Sequence, residues 1–232
     1  MDTIKIEKKD VKMVAHRGVS GIKPENTIEA FILAGEKSHY GIECDVHTTL
    51  DKKYVVNHDF HLERCYGVEG QAEEKTLAEL KELKNVVNGA PIPEYIDYLE
   101  VCKKYNKIAV VEIKGVYNDE EIKGLIEITK NAEYLHNTVF IAFDLINLIK
   151  IREILPDQPL QYLIKIYNEN ILDALNRYNL DIDIRHTDLT KEIIDEVHEN
   201  GHLVNAWTVD EKEVAEKYVS WGIDMITTNI LE

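Results

Sequence analysis

The sequence predicts a (β/α)8 barrel, an α/β fold, on three observations. Eight short β-branched runs recur along the chain, amphipathic stretches with helix-start residues separate them, and 232 residues is an ordinary length for that architecture. The runs are Val11–Ala15, Ile42–Val46, Ile108–Ile113, Thr138–Phe143, Leu160–Ile164, Leu180–Ile184, Leu203–Trp207 and Ile223–Thr227. The same alternation permits an open doubly wound sheet, and periodicity does not separate the two. One further run, Tyr54–Asn57, follows Ile42–Val46 too soon for a parallel crossover. It must pair as a hairpin or sit apart from the barrel.

The helices between these runs have legible openings. Asn26, three residues ahead of Glu29, reads as a cap, because an Asn oxygen can accept an orphan N–H while Glu29 suits the positive helix end. Thr76-Leu77-Ala78-Glu79 is a capping box. Pro93 suits the first turn of the next helix, whose apolar face would carry Ile96, Leu99 and Cys102. Asn118, Asp144, Thr190 and Asp210 stand at the starts of other helical stretches.

Composition narrows the function classes. With 44% apolar and 30% charged residues the chain is globular rather than disordered. Five prolines and eleven glycines are scattered with no linker among them, so residues 1–232 read as one domain. Twenty-seven basic residues against 43 acidic ones leave a formal charge of −16, which would repel nucleic acid and anionic membrane surfaces. No apolar run is long enough to span a bilayer or serve as a signal peptide, and three cysteines make no disulfide framework. The expectation is a cytoplasmic protein with no stable membrane association and no nucleic-acid partner. Oligomeric state is left open.

Polar residues interrupt the predicted strands at their C-terminal ends. Val14-Ala15 runs into His16-Arg17-Gly18, Gly41-Ile42 into Glu43-Cys44-Asp45, Val110-Val111 into Glu112-Ile113-Lys114, and Val204-Asn205-Ala206 into Trp207. In a barrel those ends form the face that carries chemistry. Residues two apart on a strand share a face at roughly 7 Å. Glu43 and Asp45 therefore point one way, as do Glu112 and Lys114, while Cys44 and Ile113 point into the opposite layer. Three carboxylates at one barrel mouth repel unless a cation lies between them, and an all-oxygen set suits Mg²⁺ or Ca²⁺, with Mn²⁺ a further candidate. A structural network of the same carboxylates with Arg17 and Lys114 is the competing reading. Among nine histidines, His16 and His58 stand out by position: one ends the first strand and the other follows Val55-Val56-Asn57. Two imidazoles beside a metal can act as general acid and base near neutral pH.

Taken together, His16-Arg17-Gly18, Pro24-Glu25-Asn26-Thr27, Glu43-x-Asp45-Val46-x-x-Thr49-x-Asp51, His58-Asp59 and Glu112-Ile113-Lys114 resemble the glycerophosphodiester phosphodiesterase family. Trp207-Thr208-Val209 and Ile226-Thr227-Thr228-Asn229 resemble that family's last two strand ends, so the likeness runs from Met13 to Asn229. It implies a TIM barrel with a small insertion after the second strand, here about 51–93, which would house the early run Tyr54–Asn57. It also implies metal-dependent hydrolysis of a small glycerophosphodiester to glycerol 3-phosphate and an alcohol. By the resemblance, Glu43, Asp45 and Glu112 are metal ligands, His16 and His58 the acid–base pair, Arg17 and Lys114 phosphate anchors, and Trp207 a wall for the glycerol carbons.

The chain departs from the family pattern twice. Asp51-Lys52-Lys53 replaces the usual Asp-Gly turn, and the helix after Ile92-Pro93 opens Glu94-Tyr95-Ile96 in place of Thr and Leu. Two other functions share the motifs: a phospholipase D-type lyase that stops at a cyclic phosphate, and a non-catalytic barrel acting as a binding module. The acidic charge and the cytosolic start count against the first, and the intact His and carboxylate positions count against the second. An amidohydrolase would want His-x-His after the first strand, where this chain has His16-Arg17-Gly18.

Overall fold

Parallel strands close on themselves in the computed structural model, which describes residues 2–232. In chain order the elements are β1 (Lys12–Ala15), α1 (Ile28–Glu36), β2 (Gly41–Thr48), β3 (Tyr54–Val56), α2 (Glu63–Tyr66) and α3 (Leu77–Lys81). There follow α4 (Tyr95–Tyr105), β4 (Ile108–Ile113), α5 (Asp119–Asn131), β5 (Thr138–Ala142), α6 (Leu145–Ile154) and β6 (Leu160–Ile164). The last are α7 (Glu169–Tyr178), β7 (Asp181–Arg185), α8 (Lys191–Glu199), β8 (Val204–Trp207), α9 (Lys212–Trp221) and β9 (Met225–Thr228). Strand β1 pairs in parallel with both β2 and β9, and this double pairing closes the barrel and excludes the open sheet. The early strand β3 pairs antiparallel with β2, Val46 opposite Val56, as the hairpin its short spacing required.

Alternation along each strand sorts the side chains into two layers. Cys44, Val46, Val111 and Ile113 face outward into the apolar layer beneath the helices. Tyr98 of α4 packs there edge-on to Phe31 of α1, with ring centroids 5.0 Å apart, and donates its hydroxyl to the Ile42 carbonyl at 2.6 Å. Inside the barrel a smaller cluster of Val14, Val110, Ile141 and Leu163 forms an apolar floor. Among the described residues no helix is long and apolar enough to cross a membrane. Cys44, Cys65 and Cys102 are buried free thiols.

Several helix starts differ from the sequence expectation. Thr27, not Asn26, caps α1: its Oγ1 accepts the Ala30 N–H at 3.3 Å, while Asn26 sits in the left-handed region at φ 54°. Pro93 lies ahead of α4, whose cap is Glu94, and the buried face is Tyr95, Tyr98, Leu99 and Cys102, with Ile96 only half-buried. Glu211 rather than Asp210 occupies the cap of α9. Asn118 and Thr190 do cap α5 and α8 through their side chains, whereas Asp144 holds the cap position of α6 without a side-chain bond. In the turn where the resemblance led one to expect glycine, Lys52 takes φ 59° and its ammonium reaches the Glu121 carboxylate at 2.6 Å.

Candidate functional site

A left-handed turn at the end of β1 organises the barrel mouth. Arg17 has φ 55°, a region costly for a residue with a Cβ, and Gly18 follows at φ 77°. A Cβ on Gly18 would stand 2.6 Å from the Ala30 carbonyl carbon, so only glycine passes under α1. The turn aims the Arg17 main-chain N–H at Glu43 Oε2, 2.8 Å away. Asn26, freed from capping, donates its amide to Asp45 Oδ2 at 2.8 Å.

Glu43 and Asp45 lie two apart on β2, and Asp45 faces Glu112 of β4 in register. One oxygen from each of the three lies within 4.8 Å of the others, and all three residues are buried. Arg17 Nε stands 3.3 Å from Asp45 Oδ2, and Lys114 Nζ stands 3.3 Å from Asp45 Oδ1 and 2.8 Å from Glu112 Oε1. Burial pushes both Glu43 and Glu112 up, Glu112 to about 7, with Asp45 beside each adding to the shift. Burial acts on Asp45 in the same sense, but Lys114 and Arg17 outweigh it and hold that carboxyl below its ordinary range. Two cations thus hold one ionised carboxylate, while two further carboxylates lack full compensation. Among the described residues, the buried Glu43 Oε1 has no hydrogen-bond partner. An unmatched, all-oxygen cluster of this size is the donor set of a hard divalent cation, and Glu43, Asp45 and Glu112 fit one.

The two histidines flank this cluster. His16 Nδ1 lies 2.7 Å from Asn229 Oδ1, and Asn229 is fixed because its amide nitrogen donates to Asp210 Oδ2 at 2.6 Å. The oxygen facing His16 can therefore only accept, which places the imidazole proton on Nδ1 and leaves Nε2 with a free lone pair. Burial, then Arg17, pushes His16 down to about 4. His58 Nδ1 lies 2.7 Å from Asp59 Oδ1, and burial likewise lowers its imidazole. Arg64 holds the Asp59 carboxylate ionised, its pKa near 2, so His58 also carries its proton on Nδ1.

Six of the eight residues singled out from sequence line one cavity: His16, Arg17, Glu43, His58, Glu112 and Trp207. Asp45 and Lys114 lie directly behind them, in contact with Arg17 and Glu112. The cavity's other wall is apolar, where Phe143 meets Trp207 edge-on at 5.5 Å above Ile141 and Leu163. Asp183 of β7, a residue that sequence reasoning passed over, also lines the cavity; among the described residues its Oδ1 has no partner, and burial pushes its carboxyl well up. The alternation Asp181-Ile182-Asp183-Ile184-Arg185 carried that signal, since an inward-facing acid on a barrel strand breaks the apolar pattern. Arg64 left no comparable trace, and Asn229 and Asp210 were marked only as a strand end and a helix start.

The family model described as glycerophosphoryl diester phosphodiesterase family matches residues 16–232. YhdW of Bacillus subtilis is 32% identical over 230 residues, covering 94% of this chain and 93% of the relative. A glycerophosphodiester phosphodiesterase of Caldanaerobacter subterraneus subsp. tengcongensis is 29% identical, with the same coverage of 94% and 93%. Among solved structures, an Oleispira antarctica phosphodiesterase in complex with the product sn-glycerol-3-phosphate superposes with TM-score 0.88 at 23% identity, covering 97% of this chain and 95% of that one. That last likeness establishes the shared barrel.

Proposed function

The chain belongs to the glycerophosphoryl diester phosphodiesterase family and is a phosphoric diester hydrolase acting on glycerophosphodiesters; from that premise we propose how its own residues do the work. The observation that carries the proposal is the meeting of Glu43, Glu112, His16, His58 and Arg17 on one cavity, opposite an apolar wall. Glu43, Asp45 and Glu112 would hold a divalent cation, which would supply positive charge where negative charge builds in the transition state. Mg²⁺, Ca²⁺ and Mn²⁺ all suit the oxygen set.

Arg17 and Lys114 anchor the phosphodiester and share in stabilising that charge. Trp207 and Phe143 cover the glycerol carbons and exclude water from that side. The glycerol 2-hydroxyl attacks phosphorus while Nε2 of one histidine takes its proton. The other histidine, in its protonated form, gives a proton to the departing alkoxide, and the alcohol leaves. Water then opens the resulting cyclic phosphate with the two proton transfers reversed, and glycerol 3-phosphate is released. Both histidines suit this exchange because each is held by its Nδ1 side with Nε2 free.

The charge of −16 favours a small substrate over a polyanion. The test is glycerol 3-phosphate release from glycerophosphocholine, glycerophosphoethanolamine, glycerophosphoglycerol and glycerophosphoinositol by the purified protein. Release from at least one supports the reading; a panel left intact in the presence of each metal refutes it.

A further inference from the structure

The insertion between β2 and α4 carries His58 itself and, on α2, a side chain that braces it. Arg64 of α2 binds Asp59 along one edge of its guanidinium, with Nε at 2.6 Å from Oδ2 and Nη2 at 3.0 Å from Oδ1. Along its other edge it binds Glu25, with Nη1 at 2.9 Å from Oε2 and Nη2 at 2.7 Å from Oε1. Both carboxylates point onward to the barrel mouth. Asp59 receives the His58 ring at 2.7 Å, and Glu25 receives Arg17 Nη1 at 2.9 Å. We propose that Arg64 is a positioning residue for this reaction: one guanidinium, supplied by the insertion, aims His58 through Asp59 and Arg17 through Glu25.

Stability gives Arg64 little reason to be there. Its side chain is 49% exposed, where ion pairs add little to folding. Helix α2 is anchored from its other side, by Leu62, Cys65 and Tyr66 in an apolar cluster with Val55, Leu80 and Ile92. What the four bonds fix is direction. A carboxylate gripped along both oxygens cannot turn, so the ring it receives is held too. Only a planar guanidinium offers two donor edges at once; a lysine ammonium keeps the charge and loses the geometry.

This inference rests on the hydrolase reading, and the experiment separates the two. Parent, R64A and R64K are compared for kcat and KM on the glycerophosphodiester that the parent turns over best, for melting midpoint, and for the His58 tautomer by ¹⁵N NMR of the full chain. Both variants should lose about tenfold or more in kcat, as expected when a partner that orients a functional group is removed. Their melting midpoints should move by less than about 4 °C. The His58 signals should shift from a single Nδ1–H form to a mixture of tautomers. Full activity in R64K, an unchanged His58 tautomer, or an activity loss matched by a larger fall in melting midpoint would each overturn the proposal. A parent that turns over no glycerophosphodiester would remove the hydrolase reading, while the NMR arm would still decide what Arg64 does.

Discussion

Asp45 and Glu112, cross-strand partners in register on β2 and β4, share one ammonium: Lys114 Nζ stands 3.3 Å from the first and 2.8 Å from the second. One cation cannot neutralise both. The imbalance falls on Glu112, whose carboxyl is raised from 4.5 to about 7, first by burial and then by Asp45. A carboxyl raised on folding contributes stability at pH below its unfolded value, and that contribution is lost as pH climbs through the folded value. Metal-free Glu112→Gln should therefore melt with the metal-free parent near pH 4 and above it at pH 8, by roughly 7 °C or more. Added divalent cation should reverse the order at pH 8, because the amide is the poorer ligand. A mutant that melts below the parent at pH 8 without metal would make Glu112 a structural ion-pair partner.

His16 and His58 present equivalent nitrogens from opposite supports, Asn229 on one side and Asp59 on the other. Replacing either with alanine should cost about 10²-fold or more in kcat. The double variant should cost far less than the product of the two, since one proton relay cannot be broken twice. Steady-state kinetics of the three variants decide it. Multiplicative losses would mean that the two rings serve separate steps.

How legible all this was depended on whether a residue's task leaves a mark on its neighbours in sequence. The barrel strands did, because burial on both faces forces β-branched runs such as Ile108–Ile113. So did the carboxylates and His16, which break those runs at their ends. Caps were less readable: Asn26 and Thr27 are adjacent and both suit the role, and it is the need of Asp45 for a donor that takes Asn26 away. Asp210 looked like a helix start, yet it serves Asn229, 19 residues on, and through it His16. Arg64 lies 39 residues from Glu25. Contacts of that span depend on how β1, β9 and the insertion converge, which no local pattern encodes.

The substrate's own hydroxyl offers a sharper test of the route. Intramolecular placement of a nucleophile can be worth an effective molarity of about 10⁵ M or more. A diester built on propane-1,3-diol keeps the phosphate charge for Arg17 and Lys114 but has no 2-hydroxyl. It should compete with the glycerol substrate and turn over at least about 10³-fold more slowly. Comparable turnover, read as alcohol release, would show that water attacks phosphorus directly and would remove the cyclic phosphate.

The central claim is that Glu43, Asp45 and Glu112 hold a divalent cation on which glycerophosphodiester hydrolysis depends. It is tested most directly by stripping the protein with chelator, verifying its metal content, and following glycerol 3-phosphate release as Mg²⁺, Mn²⁺ or Ca²⁺ is titrated back. The account predicts no release from the stripped protein and recovery with at least one of these ions, lost again in Asp45→Asn. Full release by verified metal-free protein would contradict it.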